Sequence, residues 1–201
     1  MQRSHAWIAA LAVGCAPSAV HAATLTIDVR DAAGQPLPNS VVLIDSPNKP
    51  AGAMRSAGSY QMAQQNIMFA PHILIVPVGA SVTFPNRDRV RHHVYSFSAA
   101  KKFNLKLYGK DETRSVVFDK PGVVSLGCNI HDAMNAFIFV VDTPFAMTTD
   151  AQGRVTIPNV PAGTVTVRVW NPVIRASGNM LSQNLAVPAA GLSTTYTIRN
   201  K

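Results

Sequence analysis

Apolar and polar positions alternate along this chain in short runs, and the alternation predicts β-strands. Thr24–Val29 and Ser40–Asp45 place side chains on two faces with period two. His72–Val78 and Ser81–Phe84 follow, separated by a turn at Gly79. Further runs are His93–Ser98, Arg114–Phe118, Gly122–Leu126 and the continuous apolar stretch Ala136–Val141. Val155–Ile157, Thr164–Trp170 and Ser193–Arg199 close the series. No window carries the 3.6-residue period of a long amphipathic helix. Short strands at this spacing, bounded by turn residues, predict an all-β sandwich or barrel.

Two stretches share a style that the middle of the chain lacks. Asp31-Ala32-Ala33-Gly34-Gln35 and Asp150-Ala151-Gln152-Gly153-Arg154 each set Asp and Gly for a tight turn between strands. The stretches around them, 28–45 and 149–170, are similar to the opening and the later part of a transthyretin-type, carboxypeptidase-regulatory-like domain. That likeness predicts a small β-sandwich from residues 23–46 plus 143–201, with a second module at 47–142 inserted into it. The simpler alternative is one module over 24–142 with a C-terminal β extension.

Composition agrees with β-structure: 201 residues, 47% hydrophobic, 14% charged, with 14 prolines. The N-terminus reads as a secretory signal over residues 1–22. Arg3 and His5 give it a positive start, Trp7–Val13 an apolar run, and Val20-His21-Ala22 a small-residue cleavage site. The apolar run is too short to span a bilayer. Ala12-Val13-Gly14-Cys15 is a poor match to a lipoprotein processing site, so a periplasmic protein is expected rather than an anchored one. Removing Arg3 takes the formal charge from +8 to +7. A basic exported protein suits an acidic protein partner. The basic residues are scattered without an aromatic stacking platform, which argues against nucleic acid.

Cleavage would leave Cys128 as the sole cysteine in an oxidising compartment, where cysteines usually pair. Its neighbours give the reason. Gly127-Cys128-Asn129-Ile130-His131-Asp132-Ala133-Met134 holds Cys, His and Met in the spacing C-x2-H-x2-M, between two predicted strands. A thiolate, an imidazole and a thioether on one tight loop select copper or zinc, and the thioether favours copper. A structural zinc would draw on four closed ligands, usually with more than one cysteine. A further histidine comes from Asn86-Arg87-Asp88-Arg89-Val90-Arg91-His92-His93, at the start of a strand. Strand alternation sends His92 and His93 to opposite faces, so only one reaches the site, and His92 is the favoured ligand.

These motifs resemble the cupredoxin (blue copper) family, in particular its amicyanin branch, over roughly residues 61–142. The matching residues are the C-x2-H-x2-M loop, the Asn86-Arg87-Asp88 run ahead of His92, and Val76-x-x-Gly79-x-x-Val82-x-Phe84. The phrase His93–Ser98 and the appended C-terminal segment also resemble proteins described as methylamine utilization proteins. The resemblance implies a Greek-key cupredoxin β-sandwich holding one type 1 copper ion through His92, Cys128, His131 and axial Met134. It implies that Asn86 hydrogen-bonds the ligand loop and that a carbonyl accepts the second N–H of His92. It further implies one-electron transport to or from a dehydrogenase or cytochrome, with His131 as the exit. Asn129 and Asp132 stand where amicyanins carry proline and apolar residues of the docking loop, so the resemblance keeps the copper ligands but does not carry over the docking partner. The competing readings are a copper carrier or assembly module without electron transfer, and an enzyme using Cys128 as nucleophile. No oxyanion hole or substrate pocket is legible for the enzyme reading, so no enzymatic activity is expected.

Overall fold

The computed structural model describes residues 22–49 and 58–199. The expected signal segment, with Cys15, lies outside the described residues except for Ala22. The chain is all-β. Its strands are β1 (Ala22–Arg30), β2 (Val41–Asp45), β3 (Tyr60–Gln61), β4 (Ala63–Gln65), β5 (Met68–Ala70) and β6 (Ile73–Pro77). They continue with β7 (Ala80–Pro85), β8 (His92–Ser98), β9 (Lys101–Tyr108), β10 (Thr113–Phe118), β11 (Gly122–Gly127) and β12 (Asn135–Val141). The last are β13 (Ala146–Thr148), β14 (Arg154–Pro161), β15 (Gly163–Trp170), β16 (Met180–Val187) and β17 (Leu192–Thr197). Among the described residues no helix is long and apolar enough to cross a membrane.

Among the described residues, four of the five sheets stack as layers with three cores between them, the fifth being the two-stranded sheet β4-β5. An outer sheet of order β14-β1-β17 faces a sheet of order β13-β2-β15-β16. The core between them takes Leu25, Ile27 and Val29 from β1, Ile157 from β14, and Val165, Val167 and Val169 from β15. At the other end, the sheet β6-β12-β11-β8-β9 faces the sheet β10-β7-β3. Phe84, Val94, Phe118, Val124, Ile138 and Cys128 belong to that core. The middle core joins the pairs: Val41, Leu43 and Trp170 meet Phe139 and Val141, with Phe137 packed against them. Trp170 stands edge-on to Phe137 and Phe139, at centroid distances of 4.8 and 4.7 Å.

This stacking explains the two densest apolar runs. β2 sends Val41 and Leu43 to the middle core, and Val42 and Ile44 to the outer one. β12 sends Ala136, Ile138 and Val140 one way and Phe137, Phe139 and Val141 the other. A strand covered on both faces has no reason to alternate. Each fully buried Val, Leu, Ile or Phe among them contributes about 1.5–3 kcal/mol over leaving it exposed.

The two Asp-Gly turns close alike. Asp31 Oδ1 accepts the amides of Ala33 and Gln35, and Asp150 Oδ1 accepts those of Gln152 and Arg154. Each carboxylate thus takes over amides that the turn leaves unpaired.

Candidate metal centre

Two loops at one end of the inner sandwich build the site. The first leaves β7 at Pro85 and enters β8 at His92. Asn86, buried, shapes it: its Nδ2 donates to the carbonyls of Val90 (2.9 Å) and Tyr108 (3.1 Å), and its Oδ1 accepts the Asp88 amide (2.9 Å). Both Nδ2 hydrogens are therefore engaged on the His92 side of the site. These bonds fix the loop that delivers His92. The second loop joins β11 to β12, whose last pair is Gly127 opposite Asn135. It is pinned by the Met134 amide donating to the His131 carbonyl at 2.9 Å. Gly127 also pairs with Tyr95 of β8, which sets Cys128 beside the start of that strand.

The structure brings three of the expected ligands together. One potential ligand atom each from His92, Cys128 and His131 lies within 4.8 Å of the others. The His92 and His131 rings are 5.0 Å apart between centroids, and the Cys128 sulfur lies 3.7 Å from His131 Nδ1. Met134 is buried in the same core cluster as Cys128. His93 turns away, its Nε2 lying 2.6 Å from Asn104 Oδ1, while its backbone amide donates to the Cys128 sulfur at 3.5 Å. Cys128 is the free cysteine among the described residues, and it is buried.

His92 carries the decisive detail. It is fully buried, and its Nε2 lies 2.7 Å from Asp88 Oδ2. A carboxylate thus stands where a carbonyl was expected. It holds the Nε2–H tautomer, which leaves the Nδ1 lone pair facing inward. That Nδ1 is buried with no hydrogen-bond partner. Leaving a buried polar atom unsatisfied costs on the order of 1–3 kcal/mol, so an orphan of this kind calls for a ligand. Beside it sit a thiol sulfur and a second imidazole, the soft donor set that copper or zinc takes. The residues therefore fit a bound metal ion.

Asp88 does more than orient His92. Its carboxylate also accepts the amides of Asn66 (2.7 Å) and Ile67 (2.9 Å), both at positive φ in the turn between β4 and β5. Partial burial alone would raise the carboxyl's pKa, but the Ile67 amide, the His92 bond and the Asn66 amide outweigh it and hold the pKa below the usual aspartate value. Sequence reasoning missed this role, although an acidic residue four positions before the histidine was its signal. Tyr108 opposes His92 across β8 and β9, and its hydroxyl donates to the Phe84 carbonyl at 2.9 Å. Burial pushes the phenol's pKa far up, so Tyr108 stays neutral behind the site.

No protein-family model and no curated protein matches this chain. Among solved structures it is similar in part to a copper-containing nitrite reductase from Thermus scotoductus SA-01. That match has 26% identity over 42% of this chain and TM-score 0.40, and it spans only 23% of the reductase. A reduced Cu(I) form of an amicyanin variant matches at 22% identity over 50% of this chain and 98% of its own, TM-score 0.40. A purple cupredoxin from Nitrosopumilus maritimus matches at 24% identity over 41% of this chain and 100% of its own, TM-score 0.38.

Proposed function

We propose that this chain is an exported, periplasmic protein that holds one copper ion through His92, Cys128, His131 and Met134 and carries one electron at a time. The observation that carries the reading is the buried, unpartnered Nδ1 of His92 facing a thiol and a second imidazole. Copper, when bound there, supplies a one-electron couple stable in both charge states.

The chain's own residues prepare that site. Asp88 fixes the His92 tautomer and ring orientation before any metal arrives. The His93 amide donates to the Cys128 sulfur at 3.5 Å and helps hold it in place. Met134 and Cys128 are buried with Phe84 and Phe118 in one apolar cluster, which limits water at the sulfur. Two short loops anchored on paired strands keep the donors in one arrangement, which suits a centre that must not rearrange with each electron. His131 is only partly buried and offers an edge toward a partner such as a dehydrogenase or cytochrome. A buried sulfur suits a ligand better than an attacking nucleophile, so we assign no enzymatic activity.

The test is electron stoichiometry. Copper-loaded protein should take one electron from ascorbate and return it to ferricyanide, repeatedly and without loss of metal. Copper that binds but cannot be cycled would favour the second reading, a copper carrier or assembly module. The separate core formed by β1, β2, β14 and β15 gives that reading its support, since it offers a docking module of its own.

A further inference from the structure

A strand at the edge of a sheet carries unpaired N–H and C=O groups, and charged residues, proline, bulges or short length normally keep it from pairing with another chain. Most edges of this protein follow that rule. β9 carries Lys101, Lys102 and Lys106 and is bulged against β8. β10 carries Arg114, and β14 carries Arg154, Pro158 and Pro161. β3 and β13 are two and three residues long, and β6 ends in Pro77.

β16 and β17 lack these devices. Each pairs with one neighbour among the described residues, β16 with β15 and β17 with β1. A short turn at 188–191 joins them, so the two open edges, one from each layer, lie on the same side of the outer sandwich. Residues 176–198, which make both strands, contain no Lys, Arg, His, Asp or Glu, in a chain of formal charge +8. The core is open on that side too. Leu181 and Leu185 of β16 and Leu192 of β17 pack against the outer core yet stay only partly buried.

The sequence of β16 is self-complementary. Two identical strands that pair antiparallel about a twofold axis set side chains opposite each other on the same face of the sheet. With the axis at Gln183, Leu181 meets Leu185, Ser182 meets Asn184 and Met180 meets Ala186. Every pair is apolar with apolar or polar with polar, and no charge opposes a like charge. The leucine pairs, one on each side of the axis, close the open side of the outer core. On the other face, Asn184 Oδ1 accepts the Thr166 hydroxyl at 2.9 Å, which leaves Asn184 Nδ2 to donate to a Ser182 hydroxyl. Moving the axis by one residue either way spoils the match, because Gln183 then falls opposite Leu185 or Leu181.

We propose that two copies of this chain join through β16, antiparallel about a twofold axis at Gln183, so that their sheets β13-β2-β15-β16 merge into one. The pairing is independent of what the metal centre binds.

Sedimentation of the purified protein over a dilution series tests it. Wild type should run as a dimer when concentrated and as a monomer when dilute, and the outward amides of β16 should exchange more slowly in the dimer. Ser182→Lys combined with Asn184→Lys sets like charges opposite each other in both pairs and should leave monomer at every concentration. Ser182→Glu combined with Asn184→Lys sets opposite charges there and should keep the dimer, with added salt weakening it. Both variants should keep the wild-type circular dichroism. Wild-type monomer at every concentration overturns the pairing, as does a dimer that survives the two-lysine change or a folded Glu/Lys variant that has lost it. Slow exchange of the outward β16 amides in a monomer would mean that a strand of another protein covers the edge, and would overturn the pairing of copies as well.

Discussion

Replacing Asp88 by alanine tests how far the site is built before metal arrives. The change removes three hydrogen bonds to one carboxylate, from His92 Nε2 and from the amides of Asn66 and Ile67. Bonds to a charged acceptor contribute about 1.5–3 kcal/mol each, and water can replace part of the two amide bonds because that turn is exposed, so a total loss of about 2–4 kcal/mol is expected. For a chain of this size that corresponds to roughly 2–4 °C in Tm per kcal/mol. Copper affinity should fall as well, by about 10–100-fold, because the freed imidazole can turn or take the other tautomer. Asp88→Asn separates the two effects. A carboxamide oxygen placed at Oδ2 still accepts from His92 and Ile67, but its NH2 then faces the Asn66 amide. That variant should lose stability yet keep most of the copper affinity. Melting of the copper-free protein and copper titration against a competing chelator read the two quantities. Wild-type copper affinity in Asp88→Ala would refute the claim that this carboxylate presets His92.

Two further predictions concern the outer sandwich. Arg154 grips Asp28 across β1 and β14 with bonds of 2.8 and 2.9 Å, and the Arg154 guanidinium holds the Asp28 carboxyl below its usual pKa. A depressed carboxyl stabilises the fold above the unfolded aspartate value and loses that contribution as pH falls through the folded value. Asp28→Asn should therefore cost up to about 1 kcal/mol at neutral pH and nothing at about pH 2, as read by urea melts at both; an equal cost at both pH values would remove the ion pair as its cause. Gly153 sits at φ +73°, where an added Cβ would lie 2.6 Å from the Val29 carbonyl oxygen, so Gly153→Ala should destabilise by more than about 1 kcal/mol in the same assay. Unchanged stability would mean that the turn has room to relax.

Much of the fold was legible because most strands bury at least one face. Thr24–Val29, His93–Ser98 and Gly122–Leu126 fall inside β1, β8 and β11. Lys101–Tyr108 and Met180–Val187 were missed, and both are edge strands whose polar side chains meet solvent. Edge strands carry lysines and other polar groups that blunt the apolar pattern. The ligand loop was readable because Cys128, His131 and Met134 follow one another within one turn. What surrounds the ligands was harder. Asn86 acts through loop geometry that residue spacing does not encode, Asp88 left only its four-residue interval before His92 as a signal, and the pairing of Gly127 with Tyr95 joins strands distant in sequence.

The central claim meets its most direct test in a visible spectrum. Copper(II) added to the purified protein should give an intense thiolate-to-copper band at one ion per chain, absent in Cys128→Ala and weakened in His92→Ala. A colourless wild-type protein, or a band that survives loss of Cys128, would contradict the copper site and leave the orphaned nitrogen of His92 without its ligand.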